Sequence, residues 1–286
     1  MSAQSPSRVD SDEPALAPSA SGGPPAAGVP RRRWLTTAMG VTGEVLVTAG
    51  VILGLFVVWQ LFYTDVLSSR TQNAALENMD FVEDFHVPPV TVSGGVFSAA
   101  DPDVPIELIP DELKVYTPDG APIAAEPPAP ESFGRLWVPR WGSDYVKPIS
   151  QGTDRRITLD ELGIGHYQGT AMPGEVGNFA IAGHRTTYGK PFADVDKLAV
   201  GDALIVQTEE AWFVYRVTGS EIVLPHQVEV IAAVPNEPGA TPTEASITLT
   251  SCHPRFSAAK RFIVHGELEY WAPTGHGYPE EVFGTS

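Results

Sequence analysis

With a single cysteine, Cys252, in 286 residues the chain can form no internal disulfide. Its fold must therefore hold in an oxidising space without covalent cross-links, and the thiol is left free to react. Basic residues are also scarce: 18 Lys and Arg stand against 35 Asp and Glu, for a formal net charge of -17. That balance excludes a nucleic-acid partner, because a phosphate backbone demands a basic surface, and it favours solubility outside the cell. Paired metal-ligand spacings of the Cys-x-x-Cys or His-x-x-x-His kind are missing. A zinc set drawn from Cys252, His253, His184 and His265 is the main chemical rival, but no local element would supply two of its ligands. Asp194 and Asp196 read as a solvated turn rather than a calcium site. Neither a metal nor a cofactor is expected.

Long apolar runs are limited to one, from about Val45 to Tyr63, which is long enough to cross a hydrocarbon core as a helix. Before it, residues 1–33 are rich in Ser, Pro, Ala and Gly and end in Arg31, Arg32 and Arg33. Such a segment buries too little to offset chain entropy and is expected to be a disordered cytoplasmic tail. The arginines before the span and the carboxylates after it orient a single-pass anchor, residues 34–63, with everything beyond Tyr63 outside the cell. A cleaved signal peptide is the alternative, although the run exceeds a usual h-region and no clear small-residue cleavage site follows. Residues 64–132 collect prolines and carboxylates with few counter-charges, so they read as an acidic, Pro-rich extracellular stalk. Helical spacing of Ala75, Leu76, Met79 and Val82 suggests a short helix over 71–85, and Val90 to Phe97 a stray strand.

Helix-forming patterns are nearly absent from residues 133–271. Instead, short β-type runs recur at 135–139, 179–182, 203–207, 212–217, 228–231, 247–251 and 262–268, punctuated by Gly, Pro, Asn and Asp. The pattern predicts an all-β barrel, with 203–207 and 212–217 joined as a hairpin. The C-terminal tail, 272–286, is too short and polar to span a bilayer.

Three reactive residue types stand at strand ends in this barrel. Cys252 closes the run 245–251, Arg261 opens the last strand, and His184 ends the run 178–185. A cysteine becomes a nucleophile only as thiolate, about 8.5 being its unperturbed pKa, so a cationic or basic neighbour is needed. His184 would favour the thiolate and protonate a leaving amine, while the planar, permanently charged Arg261 suits a developing oxyanion. Together they form an acyl-transfer constellation. His253 should face away from Cys252 if the strand continues, and shape the loop instead. His265 lies within the last strand, and the other histidines have no partner that spacing identifies.

The segments TLTSCHP (248–254) and GNFAIAGHRTTY (177–188), with Arg261, resemble the sortases, most closely class E of high-GC Gram-positive bacteria. The likeness covers about Phe133 to Trp271 and departs at Ser251, where a threonine is commonest. It implies a closed barrel of about eight strands and a transpeptidase with His184, Cys252 and Arg261 in the roles just given. The implied reaction cuts an LAXTG-type or LPXTG-like signal between Thr and Gly through a Cys thioester. It then transfers the secreted protein to an amine of a peptidoglycan precursor of the lipid II type. The resemblance also places Tyr167 where class E enzymes tell Ala from Pro in the signal. Thr250, Ser251 and Ala182 are further substrate-contact candidates, and the loop 224–244 should border the groove. Alternatives are a pilus-polymerising sortase, a non-enzymatic membrane-tethered β-domain that binds wall components, and an L,D-transpeptidase, whose Ser-x-Gly-Cys context is absent around Cys252.

Overall fold

A computed structural model describes residues 31–59, 63–79, 90–93, 96–99 and 107–284. The expected cytoplasmic tail lies, but for its three arginines, outside the described residues. Helix α1 (Arg31–Val58) contains the apolar run as far as Val58, and its Thr36–Val58 segment is long and apolar enough to cross a membrane. Two units are distinguished, with the boundary at Leu53 and Gly54 inside this helix.

The second unit is built on a closed eight-stranded barrel. Its strands are β3 (Ser132–Trp137), β4 (Val146–Gln151), β5 (Ile164–His166), β6 (Gly177–Gly183), β7 (Ala203–Gln207), β8 (Ala211–Val223), β9 (Ala245–His253) and β10 (Lys260–Pro273). A separate hairpin pairs β1 (Val90–Ser93) with β2 (Val96–Ala99). Around the barrel the order is β10, β8, β7, β3, β4, β5, β6, β9, antiparallel except for the β4–β5 and β6–β9 pairs. The interior is filled by Leu136, Ile149, Phe179, Ile181, Phe213, Tyr215, Ile247, Leu249 and Val264, inward-facing residues of the barrel strands.

Six of the seven expected strands map onto these elements, 135–139 overlapping β3 and running two residues past its end, and the hairpin joins β7 to β8 with Gln207 opposite Trp212. The run 228–231 is instead a turn of 3-10 helix. A closed barrel has no free edge for another strand, and Val230 packs with Val223 and Ile263 in a small outer cluster. Two strands escaped the sequence pattern. β5 is three residues long, and β4 contains Pro148, which sits one residue before its ladder with β5 begins at Ile149.

The stretch read as a stalk is in part folded against the barrel. Helix α2 (Thr64–Glu77), seven residues earlier in its start than the expected 71–85, buries Ser68, Gln72 and Leu76. Its C-terminal end is capped by a barrel side chain: Arg135, 1 % exposed, donates to the carbonyls of Leu76 (3.0 Å) and Met79 (3.2 Å). A cation there complements the helix dipole and satisfies terminal carbonyls. Further on, Ile109 is buried with Trp137 and Trp212, and Val115 bridges to Trp271. The C-terminal tail is likewise docked: β10 runs to Pro273, and a 3-10 turn (Glu280–Phe283) buries Val282 and Phe283. Prolines and carboxylates gave both stretches a solvated look, but their few apolar residues are spaced to reach the outer barrel wall.

Candidate active site

Strand register brings the three reactive side chains to one end of the barrel. In the antiparallel β9–β10 pair Arg261 lies directly opposite Cys252, so their side chains share a face. In the parallel β6–β9 pair Ala182 aligns with Thr250, which carries His184 to the same end as Cys252. All three line one open groove of about 620 Å³, together with Tyr167, Ala182, Thr250, Ser251 and the loop residues Phe256 to Ala258.

Alternation then separates neighbours by role. Arg185 and His253, one residue past His184 and Cys252, meet on the other face, where Arg185 Nη1 lies 3.0 Å from His253 Nδ1. Arg185 is 3 % exposed, donates to the Cys252 carbonyl at 3.4 Å, and forms an ion pair of 2.6 Å with Asp196. It therefore braces the backbone of the cysteine from behind. Asp194 is held by Lys197 and Arg255, each at 3.0 Å, which keeps its carboxyl below the usual carboxylate range. Members of the zinc alternative likewise have other partners, since His265 bonds Thr248 (3.0 Å) and Glu221 (3.1 Å).

The expected substrate contacts divide. The Tyr167 hydroxyl bonds the Thr250 hydroxyl at 2.9 Å, so the two act as one polar unit on the groove wall. Ala182 adds a small apolar patch. The Ser251 hydroxyl is committed elsewhere, donating to the Gly183 carbonyl at 2.8 Å, and so ties β9 to β6 beneath the groove. Of the loop 224–244, none of the residues lines the groove; it borders instead a separate hollow that includes Pro235, Asn236 and Pro242. The loop that does line it is 256–258, where Phe256 is 78 % exposed and holds a left-handed backbone (φ 64°).

One residue escaped the sequence reading altogether. Asp160 Oδ1 lies 2.7 Å from His184 Nε2. It comes from the Asp154–Asp160 turn, twenty-odd residues away in a charged run that resembles any solvated loop, so no local signal marks it.

Arg261 Nη1 donates to the carbonyls of Ala258 and Lys260, both at 3.0 Å. These bonds fix the guanidinium at the groove and leave its remaining N–H groups as donors. Cys252, His184 and Arg261 thus line a single groove, an arrangement compatible with acyl transfer.

The sortase-domain family model matches residues 136–269, which contain this whole site. Sortase SrtE2 of Streptomyces coelicolor is 31 % identical over 240 residues, spanning 81 % of this chain and 82 % of that protein. The chain belongs to the sortase family. Sortase SrtE1 of the same organism is 32 % identical over 84 % of this chain, though the match spans only 60 % of SrtE1. Among solved structures, the SrtA sortase from Actinomyces oris is 45 % identical, with a TM-score of 0.55 over 60 % of this chain and 97 % of that one. The family is one of cysteine transpeptidases, and the likeness to SrtE1 and SrtE2 makes this sortase most like class E.

Proposed function

We propose that this sortase is a single-pass membrane enzyme of the cell surface that anchors secreted proteins to the cell wall. Cys252 attacks the Thr carbonyl of an LAXTG-type or LPXTG-like signal, the Thr–Gly bond breaks, and the acyl chain is held as a thioester. An amine of a peptidoglycan precursor of the lipid II type then attacks that thioester and releases the cysteine. His184 exchanges the proton between thiol, leaving amine and incoming amine, and Arg261 donates to the carbonyl oxygen as it gains charge. Tyr167, with Thr250, reads the second residue of the signal. Helix α1 holds the enzyme in the membrane, with the arginines at its start on the cytoplasmic side.

The observation that carries this reading is the register of Arg261 opposite Cys252 in a groove that His184 also lines. The groove's ionisable lining contains Arg155 and Arg261 and no carboxylate, which suits a reaction that builds negative charge on oxygen. The test is mass spectrometry of the detergent-solubilised protein with LAXTG and LPXTG peptides and a diamine, with Cys252→Ala as control. A product cut after Thr and joined to the amine, absent from the control, is expected. Folded protein that leaves both peptides intact and forms no thioester would overturn the proposal in favour of a wall-binding module.

A further inference from the structure

His184 is held from one side by the carboxylate of Asp160, and the main chain of that residue is itself held by α2. Asp160 is largely buried, and its Oδ1 meets His184 Nε2 at 2.7 Å, while Arg155 Nε stands 3.8 Å from the same oxygen. Its main-chain carbonyl accepts a bond of 2.8 Å from Ser68 Oγ of α2, a side chain 4 % exposed. One turn along the helix, the fully buried Gln72 donates to the Tyr188 carbonyl at 3.1 Å, and Tyr188 leans its ring on His184 at 5.3 Å. At the helix start Asp65 accepts from the Gly189 N–H at 3.2 Å and from Lys190 Nζ at 3.0 Å.

Gly163 and Gly189, both with positive φ, leave the slot that the Gln72 amide fills: a Cβ on either would meet that amide at 2.8 and 2.6 Å. One face of α2 therefore grips both loops that flank His184, and Arg135 pins the other end of the helix. Buried polar contacts of this kind fix geometry, because each broken one leaves an unsatisfied group.

We propose that Asp160 is the positioning residue of His184, and that α2, the helix just after the membrane span in sequence, sets Asp160 in place. The inference rests on the role given to His184 above. A neutral imidazole that donates its Nε2–H to Asp160 carries its lone pair on Nδ1. Nδ1 then takes the proton of the Cys252 thiol as the S–C bond forms. The same proton passes to the glycine nitrogen as the C–N bond breaks, so Asp160 gains no proton at any step. Of the charged groups about the imidazole, Asp160 bonds it directly, Arg155 flanks Asp160, and Cys252 and Arg261 line the groove with it.

The experiment compares the full-length, detergent-solubilised protein with its Asp160→Asn, Asp160→Glu, Ser68→Ala and His184→Ala variants. It reads kcat and KM for an LAXTG peptide with a diamine, alongside the melting temperature. Asp160→Asn should lower kcat about 10- to 100-fold, a part of what a general acid–base contributes, with KM within about twofold. Asp160→Glu should recover part of that loss, and Ser68→Ala should lower kcat severalfold with little change in melting. If Asp160→Asn keeps kcat within about twofold while His184→Ala is inactive, positioning is refuted and the proposed function stands. If Asp160→Asn unfolds, the other two arms decide: Ser68→Ala with wild-type kcat and Asp160→Glu no better than His184→Ala would sink the idea. Turnover that survives His184→Ala removes the underlying reading instead.

Discussion

Replacing Arg261 by lysine keeps the charge and discards the fork. Two N–H groups on Nη1 are spent on the carbonyls of Ala258 and Lys260, which leaves those on Nε and Nη2 for the groove. A lysine ammonium has three donors on a flexible stem. It either satisfies the loop carbonyls or reaches the oxyanion, not both with good geometry. Losing one charge-assisted bond in the transition state costs about 1.5–3 kcal/mol, and a loosened loop about 1 kcal/mol more. Together these amount to about 3 kcal/mol, or roughly a hundredfold in kcat/KM. Arg261→Lys should therefore fall about a hundredfold in kcat/KM for LAXTG transpeptidation. The loss should sit mainly in kcat, because the oxyanion exists only past the ground state. The assay is product formation by chromatography across a substrate series. A lysine variant within about threefold of wild type would show that charge alone suffices and that the fork does nothing. A loss confined to KM would assign Arg261 to ground-state binding of the signal.

Tyr167→Phe removes the bond to the Thr250 hydroxyl, so the ratio of kcat/KM for LAXTG over LPXTG peptides should shrink by about 3- to 10-fold, one hydrogen bond's worth; an unchanged ratio would free Tyr167 from selecting the signal. Tyr215→Phe deletes the buried hydroxyl that accepts from the Gly174 N–H at 2.7 Å. Stranding that N–H should cost about 1–3 kcal/mol, read as a lower denaturant midpoint at unchanged m-value. His166 is fully buried, and burial lowers its pKa despite the Ala171 carbonyl and nearby Glu126 and Glu175 pulling the other way. The unfolded chain then takes up a proton before the folded one does. Stability contributed by neutral His166 is thus present above the ordinary histidine range and lost as pH falls through the lower folded value. Melting temperature should drop as pH falls below about 6.5, the ordinary histidine value, and His166→Gln should flatten that slope.

Much of this protein is fixed by local chemistry. The apolar run of α1 can do little else but form a long, lipid-compatible helix, and the alternation in 203–207 and 212–217 commits those segments to a hairpin. His184, Cys252 and Arg261 were legible because each stands where a strand runs out, and strand ends are written in short-range punctuation. Residue type alone also limited what they could do, since the chain has only one thiol. Closure of the barrel depends on pairs far apart in sequence, such as Phe179 with Ile247, and its parallel steps leave no turn signal to read. Closure is also what denied 228–231 an edge to join, and what let the three-residue β5 count as a strand. Asp160 and Ser68 belong to the same class. Their meeting spans 92 positions, and a carboxylate in a charged turn or a serine in a polar helix looks solvated until the fold covers it. Sequence alone determined which side chains are able to react. The tertiary structure decided which others hold them, because that depends on long-range packing that no local pattern encodes.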